Sequence, residues 1–349
     1  MLHGKREKGK GKRKTLTETS SGLWCAAGRF HIDPWEPVDR ALITHAHGDH
    51  ARPGNAAYLC STSSEPLLRR RFGADVTIES RPYGQPLTLG DVRVSFHPAG
   101  HVLGSAQIRI EGSDGIWVVA GDYKRAVDPT CTPFEPVPCD VFVTESTFGL
   151  PIYRWDPTEA VIDDIGSWWT TNKEAGRTSV LFCYTIGKAQ RLLAELMRIT
   201  DRSVYVHGMM LGMIDAYRQS GVAMLPVEPV IEPTAARRSK ARSFAGELVL
   251  APLSARGTPW MRRLGDISDG FASGLMRVRG VRRQRGYDRG FVLSDHADWP
   301  ALLETIAEAG ASRVLATHGY AEPLARYLSQ HGLESGVIRT AWEGEPTGD

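Results

Sequence analysis

Three histidines and one aspartate fall within six residues near the start of this 349-residue chain. They form the sequence His45-Ala46-His47-Gly48-Asp49-His50, which directly follows the apolar and β-branched run 41–44. That order predicts a buried strand that ends where the polar cluster begins. Imidazole nitrogens and carboxylate oxygens are common ligands of divalent cations, and core packing does not require so dense a cluster of them. The segment therefore predicts a metal site.

Other residues that can bind a metal come at the ends of further predicted strands. His101 lies in a glycine-containing loop, Asp122 follows an apolar strand, and His318 follows another. Two cations need about four protein ligands each, or fewer when a carboxylate and water are shared. The candidate metal ligands are His45, His47, Asp49, His50, His101, Asp122 and His318.

The elements around these residues change character near residue 150. Before it, short apolar runs that end in polar residues predict strands at 40–44, 92–97, 116–120 and 141–144. After it, alternating patterns favour a parallel α/β unit, with strands at 179–184, 204–206 and 247–250 and helices at 158–169 and 188–198. From 291 the earlier pattern returns, with a strand at 291–293, a helix at 300–307 and a strand at 313–316.

These changes predict an α/β protein with one domain inserted into another. The first domain is expected to comprise residues 21–150 and 291–349, and the inserted domain residues 151–290. Residues 1–20 are rich in Lys, Gly, Ser and Thr and are predicted to form a disordered basic arm.

The composition predicts a cytoplasmic globular protein. No apolar run approaches the roughly 18 residues of a membrane helix, and the basic first 14 residues lack the apolar core of a secretory signal. The five cysteines are odd in number and form no CxxC pair, which predicts reduced thiols and argues against zinc held by cysteine.

The net charge is only +2, but the basic residues are clustered. Residues 5–14 hold seven Lys or Arg, a second cluster comprises Arg237, Arg238, Lys240 and Arg242, and residues 277–289 hold six arginines. Such clusters suit a polyanion, although a solvated surface or a disordered tail explains residues 5–14 equally well. In the third cluster we expect contacts with nucleic acid from Arg277, Arg279, Arg282 and Arg283.

Two segments of the predicted insert are weaker candidates for contacts with nucleic acid. The turn at 184–188 precedes a predicted helix, whose N-terminus with Lys188 would favour phosphate, but an ordinary strand-to-helix turn explains it equally well. Arg256 and Trp260 could stack on bases, although the chain's nine tryptophans mostly indicate core packing. His31 and His207 are predicted to be structural.

The complete set of motifs resembles the β-CASP nucleases of the metallo-β-lactamase superfamily. Asp33 is similar to the first superfamily motif, 45–50 to the second, His101 to the third and Asp122 to the fourth. Glu145, His296 and His318 resemble β-CASP motifs A, B and C. The resemblance runs from about residue 22 to 332 and implies a metallo-β-lactamase αββα sandwich with an inserted parallel α/β β-CASP domain.

The resemblance also implies a role for each site residue. His45, His47 and His101 would hold one divalent cation, Asp49, His50 and His318 a second, and Asp122 would bridge them; Zn²⁺ is the preferred metal and Mn²⁺ is compatible. The two cations would bind a hydroxide and polarise a phosphodiester. His296 would protonate the leaving oxygen, Glu145 would hold His296, and Asp33 would orient a ligand.

The function implied is a DNA exonuclease of DNA repair that acts on single strands from the 5′ end. The most similar subgroup is the bacterial exonuclease associated with an ATP-dependent DNA ligase and a helicase, so both are implied as partners. An RNA-processing β-CASP nuclease is the alternative, because His318 matches the RNA-directed form of motif C. A small-molecule metallo-hydrolase is the weaker third interpretation.

Overall fold

The first part of the chain forms a six-stranded sheet. The computed structural model describes residues 14–230 and 243–339. The strands lie side by side in chain order: β1 (Thr17–Thr19), β2 (Gly22–Cys25), β3 (Phe30–Ile32), β4 (Ala41–Leu42), β5 (Tyr58–Ser61) and β6 (Ile78–Arg81). β1 to β3 are antiparallel and β3 to β6 are parallel. Helix α1 (Glu65–Phe72) connects the last two strands.

A second sheet begins with an antiparallel meander. Its first strands are β7 (Leu87–Leu89), β8 (Val92–Pro98), β9 (Ala106–Gly112), β10 (Gly115–Val119) and β11 (Val141–Glu145). β7 to β10 pair as antiparallel neighbours, whereas β10 and β11 are parallel.

The third sheet is entirely parallel and uses strands between residues 178 and 291. They are β12 (Thr178–Phe182), β13 (Val204–Val206), β14 (Val227–Pro229), β15 (Leu248–Ala251), β16 (Ile267–Ala272) and β17 (Arg289–Phe291). Their spatial order is β14-β13-β15-β12-β16-β17. The helices of this part are α2 (Thr158–Glu174), α3 (Lys188–Glu195), α4 (Leu211–Gln219) and α5 (Arg279–Arg285), and the 3-10 helices are Leu196–Arg198, Gly208–Met210, Leu253–Ala255, Pro259–Leu264 and Gly274–Arg277.

The chain then returns to the second sheet. After α6 (Trp299–Ala309), β18 (Arg313–Thr317) pairs in parallel with β11, and α7 (Ala321–Gln330) leads to β19 (Glu334–Val337) at the edge. The alternation of strands and helices after residue 150 confirms the predicted α/β class. None of the described helices is both long and apolar enough to cross a membrane.

The first two sheets pack face to face and carry helices on their outer faces. Phe30 and Leu42 of the first sheet share a buried cluster with Phe96 and Ile108 of the second. The outer face of the second sheet is covered by α6 and α7, and that of the first by α1 and α4. Burial of each Leu or Phe side chain stabilises the fold by about 1.5–3 kcal/mol. The packing of these layers therefore fixes the positions of the sheet edges.

The third sheet is buried on both faces, as its continuous apolar strands require. Ile162 of α2 and Leu192 of α3 pack on one face of the sheet. Phe182 and Phe271 belong to a second buried cluster on the other face. Helix α4 lies between β13 and β14 of the third sheet in sequence and packs on α1, so it joins this sheet to the first.

Two sequence predictions about these elements are wrong. Residues 14–20 were expected to be disordered, but β1 pairs with β2 and Leu16 is buried in the core. The strand expected at 291–293 is Arg289–Phe291, and it pairs with β16 of the third sheet. Residues 1–13 of the predicted basic arm, the cluster Arg237, Arg238, Lys240 and Arg242, and residues 340–349 lie outside the described residues.

Candidate metal centre

Polar side chains converge where the strands of the first two sheets end. β10, β11 and β18 are parallel, so the residues that follow their carboxyl ends share one edge of the second sheet. Asp122 follows β10, Glu145 ends β11 and His318 follows β18. The loop after β4 brings in residues 45–50, and the β8–β9 connection brings in His101. The site is therefore assembled from strand ends far apart in sequence.

Four of these side chains enclose one candidate cation position. Nε2 of His45 and Nε2 of His101 each lie 3.1 Å from Nδ1 of His47. The same two Nε2 atoms lie 3.5 and 3.7 Å from Oδ2 of Asp122. All four ligand atoms fall within 4.8 Å of one another, and three of the residues are buried. Three imidazoles and one carboxylate are a ligand set suited to Zn²⁺.

The remote ring nitrogens of these histidines are held by neighbouring acceptors. Nε2 of His47 is 3.1 Å from the carbonyl oxygen of Ile186, and Nδ1 of His101 is 2.7 Å from that of Asp295. A carbonyl can only accept, so each remote nitrogen donates, and the facing nitrogen keeps its lone pair for a metal. Both acceptors belong to loops that leave the third sheet.

A second group lies on the other side of Asp122. Nε2 of His50 is 3.4 Å from Oδ2 of Asp122 and 3.8 Å from Oδ2 of Asp49. The rings of His50 and His318 stack with centroids 4.9 Å apart. Nε2 of His50 and Oδ1 of Asp49 are buried and have no hydrogen-bond partner among the described residues. Buried polar atoms of this kind are costly unless something binds them, so they fit a second cation.

Asp33 holds the loop of the second group in place. Its carboxylate accepts from the backbone N–H of Thr44 at 2.8 Å, from the Thr44 hydroxyl at 2.5 Å, and from Nδ1 of His50 at 2.8 Å. The φ angles of Asp33 (43°) and His318 (57°) are in the left-handed region, where non-glycine residues are uncommon. Gly319 also has a positive φ, and a Cβ there would lie 2.5 Å from Cα of Thr147. Strained backbone of this kind is typical of functional sites.

Burial and charge set the protonation of the centre. Burial lowers the pKa values of His45 and His101 well below the ordinary value, and those of His47 and His318 less strongly, so these rings are neutral. For His50, burial is outweighed by Asp122 and Asp49, which raise its pKa well above the usual range. A cation bound there would displace that proton, so metal affinity should weaken as the pH falls.

His296 and Glu145 form a separate buried pair beside the same aspartate. Nδ1 of His296 lies 2.9 Å from Oε2 of Glu145 and 3.9 Å from Oδ2 of Asp122. The other oxygen of Glu145 accepts from the backbone N–H of Tyr123 at 2.8 Å, which fixes the carboxylate. The geometry places the ring of His296 against His101, with centroids 4.6 Å apart.

The expectation that Lys188 contacts nucleic acid is wrong. Lys188 is 1% exposed; its Nζ donates to the carbonyl oxygen of Leu293 at 2.8 Å and pairs with Asp295 at 2.9 Å. The side chain of Arg256 also contacts its own chain. Its guanidinium lies over the Tyr287 ring at 3.8 Å and pairs with Asp269 at 2.9 Å.

The arginines of the third basic cluster have different surroundings. Arg277 pairs with Asp156 at 3.0 Å, and Arg282 is exposed but donates to the carbonyl oxygen of Met276. Arg279 and Arg283 are exposed on α5. Contacts of this cluster with nucleic acid stay a prediction.

Lys188 belongs to a buried ionic cluster that the sequence analysis missed. Asp295 pairs with both Lys188 and Arg191, each at 2.9 Å. Arg191 also reaches Asp128 at 3.4 Å, and Asp128 pairs with Lys124 at 2.9 Å. Burial alone would raise the pKa of the Asp295 carboxyl, but Lys188 and Arg191 hold it well below its usual range. The available signal was a Lys and an Arg at i, i+3 in a helix that also carries Ala189, Leu192, Leu193 and Ala194.

We expect Lys188→Met to lower the free energy of unfolding by about 3 kcal/mol, because it leaves a buried carboxylate with one cation fewer. Urea denaturation of the metal-free protein measures this change. Lys173→Met is the matched control, since Lys173 is exposed on α2 and its loss should change stability by about 0.5 kcal/mol or less. Equal stabilities of the two variants would contradict the buried pair.

Together, the fold and the site define an α/β protein with a centre of histidine and aspartate suited to divalent cations. A protein of Opitutus terrae named a probable DNA ligase is 31% identical over 325 residues, covering 91% of this chain. Endoribonuclease YSH1 of Gibberella zeae is 29% identical over 48% of this chain, and ribonuclease TTHA0252 of Thermus thermophilus is 28% identical over 56%. These relatives confirm the resemblance to the β-CASP nucleases and support an enzyme of the nuclease class.

The chain matches only part of each of these relatives. It spans 30% of the probable DNA ligase, 20% of the endoribonuclease and 49% of the Thermus ribonuclease. A crystal structure of a protein of unknown function from Enterococcus faecalis matches with a TM-score of 0.59 at 11% identity, over 88% of this chain and 80% of that one, which is a likeness of fold alone. No protein-family model matches the chain.

Proposed function

We propose that this chain is a metal-dependent nuclease that hydrolyses phosphodiester bonds. The observation that carries the proposal is the convergence of six potential ligands around a seventh, Asp122, from separate strand ends, with buried atoms of His50 and Asp49 that lack a hydrogen-bond partner among the described residues. Such a centre fits two cations that share one carboxylate.

The proposed architecture is a metallo-β-lactamase αββα sandwich with a β-CASP insert. The facing first and second sheets, covered on both sides by helices, support the sandwich. The confinement of the parallel third sheet to residues 178–291, followed by a return to the second sheet, supports the inserted domain. Among the described residues, the proposed sandwich comprises 14–150 and 292–339 and the proposed insert 151–291, because β1 pairs in the first sheet and β17 in the third. A cytoplasmic location is part of the proposal and agrees with five free cysteines.

The residues present fit the two cations that the resemblance implies. His45, His47 and His101 would hold the first, Asp49, His50 and His318 the second, with Asp122 shared and Asp33 orienting His50. Zn²⁺ suits the neutral imidazoles, and Mn²⁺ is compatible. Bound there, the cations would supply Lewis acidity and lower the pKa of water to about 7.

The chain's own part in bond cleavage is to deliver a proton. His296 lies beside Asp122 and the first ligand group, so it is placed to donate to the leaving oxygen of the substrate. Glu145, bonded to Nδ1, fixes the orientation of the ring for that transfer.

We propose single-stranded DNA as the substrate, degraded from the 5′ end during repair. A relative named a probable DNA ligase contains a region that matches 91% of this chain, while the chain spans 30% of that protein. A nuclease-like region joined to a ligase in one polypeptide supports a DNA substrate, and a ligase and a helicase as partners.

Ribonuclease activity is the second candidate. Relatives matched over about half of this chain are named endoribonuclease or ribonuclease, and His318 occupies the position of motif C in its RNA-directed form. A small-molecule hydrolase has no such support beyond the fold.

The test is cleavage by metal-stripped protein reconstituted with Zn²⁺ or Mn²⁺. A single-stranded DNA carrying a 5′ or a 3′ label and an RNA of matched sequence are compared in time courses. We expect mononucleotides to be released first from the 5′ label of DNA, with RNA degraded at least roughly tenfold more slowly, a difference of about 1.4 kcal/mol. Equal cleavage of RNA would transfer the assignment to ribonuclease, and no cleavage of either polymer would overturn the nuclease proposal.

A further inference from the structure

The carboxyl edge of the third sheet faces the metal centre. The loop after β12 brings the carbonyl oxygen of Ile186 to 3.1 Å from His47, and the segment after β17 supplies Asp295 and His296. The loop after β16 packs against the sandwich as well, since a Cβ on Gly274 would lie 2.5 Å from the Phe148 ring. Ligands of parallel sheets bind at this edge, outside the carboxyl ends of the strands.

Two further strands extend this edge beyond the metal centre. β15 lies next to β12, and β13 lies next to β15. Neighbouring strands are about 4.8 Å apart, so the carboxyl ends of β15 and β13 lie about 5 and 10 Å along the edge from that of β12. A stacked strand of nucleic acid rises about 3.4 Å per nucleotide, so this length corresponds to about three nucleotides.

The residues after β13 and β15 form a partly exposed apolar surface at this position. The rings of His207 and Trp260 meet edge to face, with centroids 4.7 Å apart. Met209, in the same turn as His207, is 60% exposed. Trp260 also packs on the buried cluster below the sheet, which fixes its ring. The turn therefore adds exposed apolar surface two residues from the His207 ring.

The polar atoms around this surface suit nucleic acid. Nδ1 of His207 accepts from the backbone N–H of Met209 at 3.2 Å, so Nε2 carries the proton and can donate. Burial and the nearby Arg263 lower the pKa of His207, which keeps the ring uncharged at neutral pH. Arg262, the second residue after Trp260, is exposed. An uncharged aromatic surface flanked by arginine is how sequence-independent single-strand binders hold bases.

We propose that His207, Met209 and Trp260 form a stacking subsite for a nucleobase within about three nucleotides of the bond that is cut. This inference rests on the proposed nuclease function and adds to it the place where the strand is held. It also revises the structural role first expected for His207. The subsite holds bases through their faces, so it tolerates any sequence.

Two substrates separate stacking from chemistry. A single-stranded oligonucleotide reaches the subsite, whereas bis(p-nitrophenyl) phosphate is too small to span the centre and the subsite together. For the reconstituted protein, we expect Trp260→Ala to raise KM for the oligonucleotide about 5- to 150-fold, the usual effect of losing one stacked base. Hydrolysis of the small diester should be unchanged, and Trp260→Phe should keep most of the oligonucleotide affinity.

Single abasic sites then locate the base. In the wild-type protein, an abasic site at the stacked position should raise KM, and Trp260→Ala should abolish the sensitivity at that position alone. Met197→Ala is the matched control for exposed apolar surface, because Met197 is 49% exposed in the 3-10 helix Leu196–Arg198. It should leave both substrates unaffected.

The outcomes distinguish the two proposals. If the wild-type protein hydrolyses neither substrate, the nuclease proposal fails. If it hydrolyses both and Trp260→Ala, like Met197→Ala, leaves KM for the oligonucleotide unchanged, the subsite is overturned. Trp260 then serves only in packing. If Trp260→Ala also slows hydrolysis of the small diester, the His207→Ala/Met209→Ala double variant must still raise KM for the oligonucleotide alone, and failure to do so overturns the subsite.

Discussion

Asp122→Ala is expected to abolish binding of both cations and to reduce phosphodiester hydrolysis by at least about 10³-fold. Oδ2 of Asp122 lies 3.4–3.7 Å from Nε2 of His45, His50 and His101, so it is the atom that both ligand groups share. Without it, the two ligand groups lose the one carboxylate that they share. Lewis-acid catalysis supplies several kcal/mol, and each 1.4 kcal/mol is tenfold in rate.

The measurement is metal content by inductively coupled plasma mass spectrometry, together with hydrolysis of bis(p-nitrophenyl) phosphate. Asp122→Asn tests the charge itself, since the amide keeps the shape of the side chain; it should lose nearly as much activity as Asp122→Ala. Asp91→Ala, which removes an exposed carboxylate from the β7–β8 turn, should keep two metals and the wild-type rate. Two tightly bound metals in Asp122→Ala would disprove a bridging role.

The Asp122 variants should not fail by unfolding. Burial would raise the pKa of the Asp122 carboxyl, but His50 and His296 hold that pKa well below the usual value. The negative charge of Asp122 is therefore offset by imidazoles within the centre. Removing it leaves His50 with Asp33, at 2.8 Å, and Asp49 as partners. The variant should therefore keep its secondary structure by circular dichroism while losing metal, which separates a ligand from a structural residue.

Much of this centre could be predicted because its residues follow strands with a strong local signal. The runs before Asp122 and after residue 140 are continuously apolar, as buried strands are, and β10 and β11 lie where those runs predict. Once such strands are parallel, their carboxyl ends must meet at one edge. The grouping of Asp122, Glu145 and His318 follows from that topology. His45, His47 and His101 reach the same place through the loop after β4 and the β8–β9 connection.

The predictions that failed depend on partners distant in sequence. Lys188 looks like a phosphate-binding residue at a helix N-terminus, but its partner Asp295 is more than 100 residues away, and no local pattern reveals it. The same is true of β1, a polar segment whose three side chains are exposed and whose order comes from pairing with β2. Arg256 was expected to stack on bases, but its guanidinium lies over the ring of Tyr287 in its own chain.

His296→Ala is expected to slow cleavage of single-stranded DNA by about 10²- to 10⁴-fold, the range typical of a lost general acid. The leaving oxygen of DNA is a poorly acidic alcohol that needs a proton, whereas p-nitrophenol is acidic and leaves without one. Hydrolysis of bis(p-nitrophenyl) phosphate should therefore fall by less than about tenfold, since little of that barrier depends on proton transfer. Initial rates on the two substrates, at equal metal content, give the comparison.

Glu145→Gln refines this test, because the amide oxygen can still accept from Nδ1 of His296 but carries no charge. Glu145→Gln should slow cleavage of DNA less than His296→Ala does. It should again slow DNA cleavage more than hydrolysis of bis(p-nitrophenyl) phosphate. The alternative is that His296 is itself a ligand, since Asp122, Glu145 and His296 also lie close enough to hold a cation. In that case His296→Ala would lose metal and would slow both substrates equally. The ratio of the two rate losses, together with the metal content, therefore separates a proton donor from a ligand.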